Sequence, residues 1–220
     1  MKTINIKQPP VFLLAFMCLT FLAATSAAAP QLNPVACRND MRRLWMDHIT
    51  WTRLYLVAEM ADSPIREATA DRLIQNQTDL GNAMKPFYGK EAGDKLAALL
   101  KEHVFATIEF IKAVKAQDWE SQDDATNRWN DNADEIAAWF SNANPRWALA
   151  EMKSMWHAHV NFTIHEVTAH MKQHWQEDIA AFDKVQEQIL TMADLLSDGI
   201  IQQFPDRFKI GPSIGGDSET

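Results

Sequence analysis

From Arg146 to Asp198 the chain contains neither glycine nor proline, and no stretch of it alternates apolar and polar residues as a half-buried strand would. A β or α/β design is excluded on that pattern. Cysteine is almost absent, with only Cys18 and Cys37. Cys18 falls inside an N-terminal leader, so Cys37 stands alone and no disulfide within the chain can form. Pairing of Cys37 between chains stays open, and Cys37 lies too far past the apolar run to be a lipoprotein cysteine.

Positive charge is also short, at 21 Lys+Arg against 29 Asp+Glu. The leader carries Lys2 and Lys7 and no acidic residue, so its removal leaves 21 − 2 = 19 against 29, a net charge near −10. Such a balance speaks against nucleic acid and anionic membrane surfaces as partners. No apolar run after Ala24 is long enough to span a bilayer, which gives no stable membrane insertion once the leader is gone.

Several catalytic and cofactor signatures are missing as well. There is no Cys-x-x-Cys-His for covalent haem, no Gly-rich phosphate loop and no Glu-x-x-His pair of a di-iron bundle. His165-Glu166-Val167-Thr168-Ala169-His170 comes near the zinc-protease His-Glu-x-x-His but has one residue too many. That extra residue rotates the second histidine off the first one's helix face.

What is present begins with the leader. Lys2 and Lys7 precede an apolar run from Val11 to Ala24, and small residues through Ala29 follow. The pattern is that of a cleavable signal peptide over residues 1–28, so the protein is expected to be exported, to a periplasm or outside the cell. The remainder reads as one domain over 29–208 with a disordered tail at 209–220.

Within that domain one pattern occurs three times: apolar-x-x-His-[Ile/Val]-x-apolar-Thr, at His48, His103 and His159. A second pattern follows in step, at Arg72-Leu73-x-x-Asn76, Arg128-Trp129-x-x-Asn132 and Lys184-Val185-x-x-Gln188. A period of 55–56 residues marks a repeated supersecondary unit. Prolines at 34, 86, 145 and 205 fence units of about 34–86, 87–145 and 146–205. Apolar residues recur within each at helical steps, interrupted by Asp62-Ser63-Pro64, by Gln117-Asp118 and near Gln173-His174. The expectation is an all-α bundle of three repeated helical hairpins, with helices over about 35–61, 64–84, 90–116, 119–140, 146–172 and 175–203. A four-helix bundle with two peripheral helices is the alternative.

In an antiparallel hairpin, residues equidistant from the turn lie side by side. His48 and Asn76, His103 and Asn132, and His159 and Gln188 each stand 14 or 15 residues from their turn. Each imidazole is therefore expected to meet an amide, with Thr52, Thr107 or Thr163 one helical turn along. Two readings follow. In one, these are self-contained networks that fix hairpin register in a metal-free helical-repeat protein, which presents its surface to a partner. In the other, the three histidines converge and, with Glu166, bind a small ligand or a transition metal (zinc, copper or iron), the amides and threonines orienting the ring nitrogens. Glu166 and His170 break the repeat, standing where the other units have Tyr55 and Phe110, and Glu59 and Val114. They are expected to pair with each other, or to add a ligand or a general base. The tryptophans read as packing residues.

Overall fold

The computed structural model describes residues 31–208. The expected signal peptide at 1–28 and tail at 209–220 lie outside the described residues. Six helices make up the described chain: α1 (Pro34–Met60), α2 (Arg66–Tyr88), α3 (Lys90–Ala116), α4 (Trp119–Ala143), α5 (Leu149–Met171) and α6 (Trp175–Gln203), followed by a 3₁₀ turn at Pro205–Arg207. Among the described residues there is no strand, only a single bridge between Leu32 and Phe208 that joins the two chain ends.

Three of the helix stops are built alike. Asp62, Gln117 and Gln173 adopt left-handed φ of 52°, 57° and 57°. In each case the next residue's N–H returns to a carbonyl five residues back, Ser63 to Ala58, Asp118 to Ala113 and His174 to Ala169. This is the reverse turn that closes a helix C-terminus. Asp118 then caps α4 by accepting from Ser121 N–H at 3.1 Å.

Elsewhere the proline signals misplace the boundaries. Helix α2 was expected to end before Pro86 and instead runs through it to Tyr88. Proline in a last turn removes a single backbone bond, and Gly89 N–H still closes onto Lys85 O at 2.9 Å. Asn144-Pro145 does not open α5, because Asn144 ends α4 and holds a tight turn, accepting from Arg146 N–H at 2.9 Å. Asp62-Ser63-Pro64 supplies no side-chain cap to α2, whose N-cap is Ile65.

Each helix packs on the next in sequence, and α6 packs on α1, so the ring closes. Helix α3 also touches α1 and α5 across the middle. Helices α2 and α3 approach closely, and a Cβ on Gly81 would stand 2.5 Å from Gly93 O. At the α6–α1 seam the guanidinium groups of Arg38 and Arg42 meet Asp198 at 2.6 Å and Asp194 at 2.5 Å. The core is apolar and aromatic, with Trp45, Trp129, Trp147 and Trp156 almost wholly buried.

Candidate functional site: a buried imidazole core

The closed ring brings the three histidines together from α1, α3 and α5. The His48 and His159 ring centroids are 5.7 Å apart, and those of His103 and His159 6.0 Å. All three side chains are buried. Burial holds each imidazole below its ordinary pKa, with a neighbouring histidine adding to the effect at His48 and His103. His48 is brought to about 3, His159 to about 4 and His103 well below 6.5. All are neutral at pH 7.

Each Nδ1 meets an amide from the following helix. His103 Nδ1 donates to Asn132 Oδ1 at 3.0 Å, and His159 Nδ1 donates to Gln188 Oε1 at 3.1 Å. The same two amides donate to the carbonyls of Leu99 and Met155, four residues before each histidine, at 3.1 and 3.0 Å. In the first unit the work is divided. Asn76, the expected partner of His48, donates instead to Leu44 O at 3.0 Å. Gln77, one methylene longer, reaches His48 Nδ1 at 3.2 Å.

These partners set the tautomers. The Gln77 Nε2 group also donates to Leu73 O at 2.7 Å and faces Asn76 Oδ1 at 3.2 Å, so His48 Nδ1 accepts and its proton sits on Nε2. Gln77 Oε1 is left buried without a partner. His103 has the opposite tautomer, because the Trp129 indole donates to its Nε2 at 2.8 Å. Both ring nitrogens of His103 are therefore occupied by this chain. No such cap reaches Nε2 of His48 or His159, since Leu73 and Val185 stand where the second unit has Trp129. Two indole N–H groups nearby, Trp45 and Trp156, are buried without a partner among the described residues. Their rings lie 5.9 Å from His48 and 6.1 Å from His159 respectively.

The threonines do not touch the imidazoles. Thr52, Thr107 and Thr163 each donate to the backbone carbonyl of their own histidine at 2.9 Å. A threonine hydroxyl four residues along a helix reaches that carbonyl before any ring nitrogen.

Glu166 is held apart from the imidazoles. It lies seven residues beyond His159, about 10 Å along the helix, and accepts from Arg53 Nη1 at 2.9 Å. Arg53 also grips both oxygens of Asp178, with Nη2 to Oδ2 at 2.7 Å. His170 lies 2.8 Å from the same Asp178 oxygen. Glu166 and His170 thus flank an Arg53–Asp178 pair instead of bonding to each other. Burial pushes Glu166 up to about 7 against the pull of Arg53, whereas hydrogen bonds from Arg53 and His170 overcome burial and hold Asp178 below its usual range. Glu59 accepts from Tyr55 at 3.1 Å and faces Lys115 at 3.4 Å, binding α1 to α3.

Among the described residues, no group of three or more His, Cys, Asp or Glu is arranged to hold a metal ion. No protein family, no curated protein and no solved structure matches the chain.

Gln77, Trp129, Arg53 and Asp178 escaped the sequence reading. Two of them had a signal in the repeat. Trp129 stands where the other units have Leu73 and Val185, and Arg53 where they have Ile108 and Ile164. The reading of tryptophans as packing also fails at two helix starts, where Trp119 is 77% and Trp175 48% exposed. No described helix is long and apolar enough to cross a membrane.

Proposed function

We propose that this protein is an exported helical-repeat scaffold, three hairpins closed into a ring, which works by binding at its surface while the histidines serve as hydrogen-bonded core residues. One observation carries the reading: His103 has Asn132 on one ring nitrogen and Trp129 on the other. To bind a metal it would have to surrender the indole hydrogen bond, in a core already closely packed around it. The matching amide contacts at His159 and His48, each 29 residues along the chain, support the same role in all three units.

A second reading has a specific observation in its favour. Nε2 of His159 is unprotonated and takes no hydrogen bond from the described chain, the His48 ring is its neighbour, and both are neutral at pH 7, the form a metal requires, although His48 would first have to move its proton from Nε2 to Nδ1. A transition metal or small polar ligand held there would involve two histidines, with His103 behind them.

Elemental analysis of protein purified from its native compartment separates the two. The scaffold reading expects no stoichiometric zinc, copper or iron, and a His103→Ala protein that is destabilised. One equivalent of metal, lost in His159→Ala with helix content retained, would replace it with the second reading.

A further inference from the structure

At the end of the bundle where α1 begins and α2 ends, a cavity of about 270 Å³ opens beside the 3₁₀ turn. Its walls are apolar, from Leu32, Met41, Leu44, Ala83 and Phe87. At its edge stands Arg207. The backbone of Arg207 is pinned, because its carbonyl accepts from Leu32 N–H at 2.7 Å. Its side chain is pinned too, with the guanidinium 5.0 Å from the Phe87 ring centroid and Nη1 donating to Pro86 O. No carboxylate among the described residues pairs with it, although the other arginines and lysines near the seams have acidic partners. A guanidinium presents five N–H donors in a rigid fork that matches a carboxylate, and here one donor is engaged. The site therefore combines an apolar hollow, a fixed cation and unused donors at its rim.

We infer that this cavity binds a small amphiphile with a carboxylate head and a short apolar body, the head on Arg207 and the body against Met41, Leu44 and Phe87. The size limits how much of the body is buried: the cavity falls just below the roughly 300–1,000 Å³ typical of drug-sized sites, which suits a medium-chain fatty acid better than a long one. Asp40, on α1, is the one acidic group lining the cavity among the described residues; it disfavours more than the single negative charge that Arg207 can balance. The inference is independent of whether the imidazole core holds a metal, since none of the three histidines lines this cavity.

Cys37 in the cavity wall provides the reporter. Its half-buried thiol has a pKa raised by burial and by Asp40, so it reacts slowly with a disulfide reagent, and an occupant of the cavity should slow it further. The experiment follows modification of Cys37 by peptide mass spectrometry while octanoate is titrated, with octanol as the uncharged control. Octanoate should protect saturably. Arg207→Gln should weaken octanoate by about tenfold, the loss of one charge-assisted contact, and leave octanol unchanged. Ala83→Phe, which fills the cavity, should abolish protection by both. Absence of protection by octanoate overturns the proposal. So does octanol protecting as well as octanoate, or octanoate protection undiminished in Arg207→Gln, because the cavity would then be a nonspecific apolar hole.

Discussion

Three tryptophans separate two effects that are usually confounded at a single residue. Trp129 and Trp45 are both fully buried, but the Trp129 indole N–H donates to His103 while that of Trp45 has no partner among the described residues. Replacement by phenylalanine removes a similar volume from each site. At 129 it also strands an imidazole nitrogen, a loss of about 1–3 kcal/mol; at 45 it removes a donor that was already unsatisfied. Trp129→Phe should therefore lower the urea unfolding free energy more than Trp45→Phe. Equal losses would mean that the indole–imidazole bond contributes nothing to stability. Trp156, also unpartnered, should follow Trp45. At this scale the sequence was legible where one amide does both jobs. Asn132 and Gln188 could be read from their distance to the turn, because each reaches both its imidazole and the carbonyl behind it. Asn76 could not, because the same distance argument does not register that a neighbour one methylene longer takes the ring while the shorter amide takes the carbonyl.

Helices are held here more by how they stop than by how they start. The reversals after α1, α3 and α5 place a residue in the left-handed region, and in none of them is it glycine. A side chain there carries a steric cost of order 1–2 kcal/mol, partly offset by the smaller entropy loss of a non-glycine residue. Gln173→Gly should accordingly raise stability by roughly 0.5–1 kcal/mol, measured as an upward shift in the denaturation midpoint with helix content unchanged. A fall instead would show that the Gln173 side chain makes a contribution its exposure does not suggest. The same stops explain why these boundaries were readable. The interruption at Gln117-Asp118 gave its position directly, and the repeat transferred it by 56 residues to Gln173-His174, where no glycine or proline marks it. Proline alone was the weaker guide, since at Pro86 and Pro145 its meaning depends on which neighbouring carbonyl still finds a donor.

For the molecule as a whole, closure of α6 onto α1 is what brings the histidines together, and no local pattern could reveal it. The apolar faces of α1 and α6 are compatible with an open row as well as with a ring, and the seam is bound by Arg38–Asp198 and Arg42–Asp194, exposed pairs of small individual worth. One consequence belongs to the whole fold: its dependence on pH. Three histidines have folded pKa values depressed by burial. Their contribution is fully present above the unfolded value of about 6.5 and is lost as pH falls toward the folded values, because only the unfolded chain takes up the protons. Glu166 acts in the opposite sense. Its folded pKa is raised from 4.5 to about 7, so its contribution is complete below 4.5 and disappears as pH rises through 7. Between pH 7 and 6.5 the unfolded histidines already take up protons while the folded glutamate does the same, so the two effects largely offset each other. Below 6.5 three groups oppose one, each worth about 1.4 kcal/mol per pH unit at full effect, and stability should fall. The urea midpoint is thus expected to be nearly level above pH 7 and to decline steeply toward pH 5. His159→Gln, which removes one titrating group, should make that decline shallower, and Glu166→Gln, which removes the opposing one, should make it steeper. A midpoint that stays level from pH 7 to pH 5 would mean that the imidazoles take up protons in the folded chain, and the buried, neutral core described above would have to be abandoned.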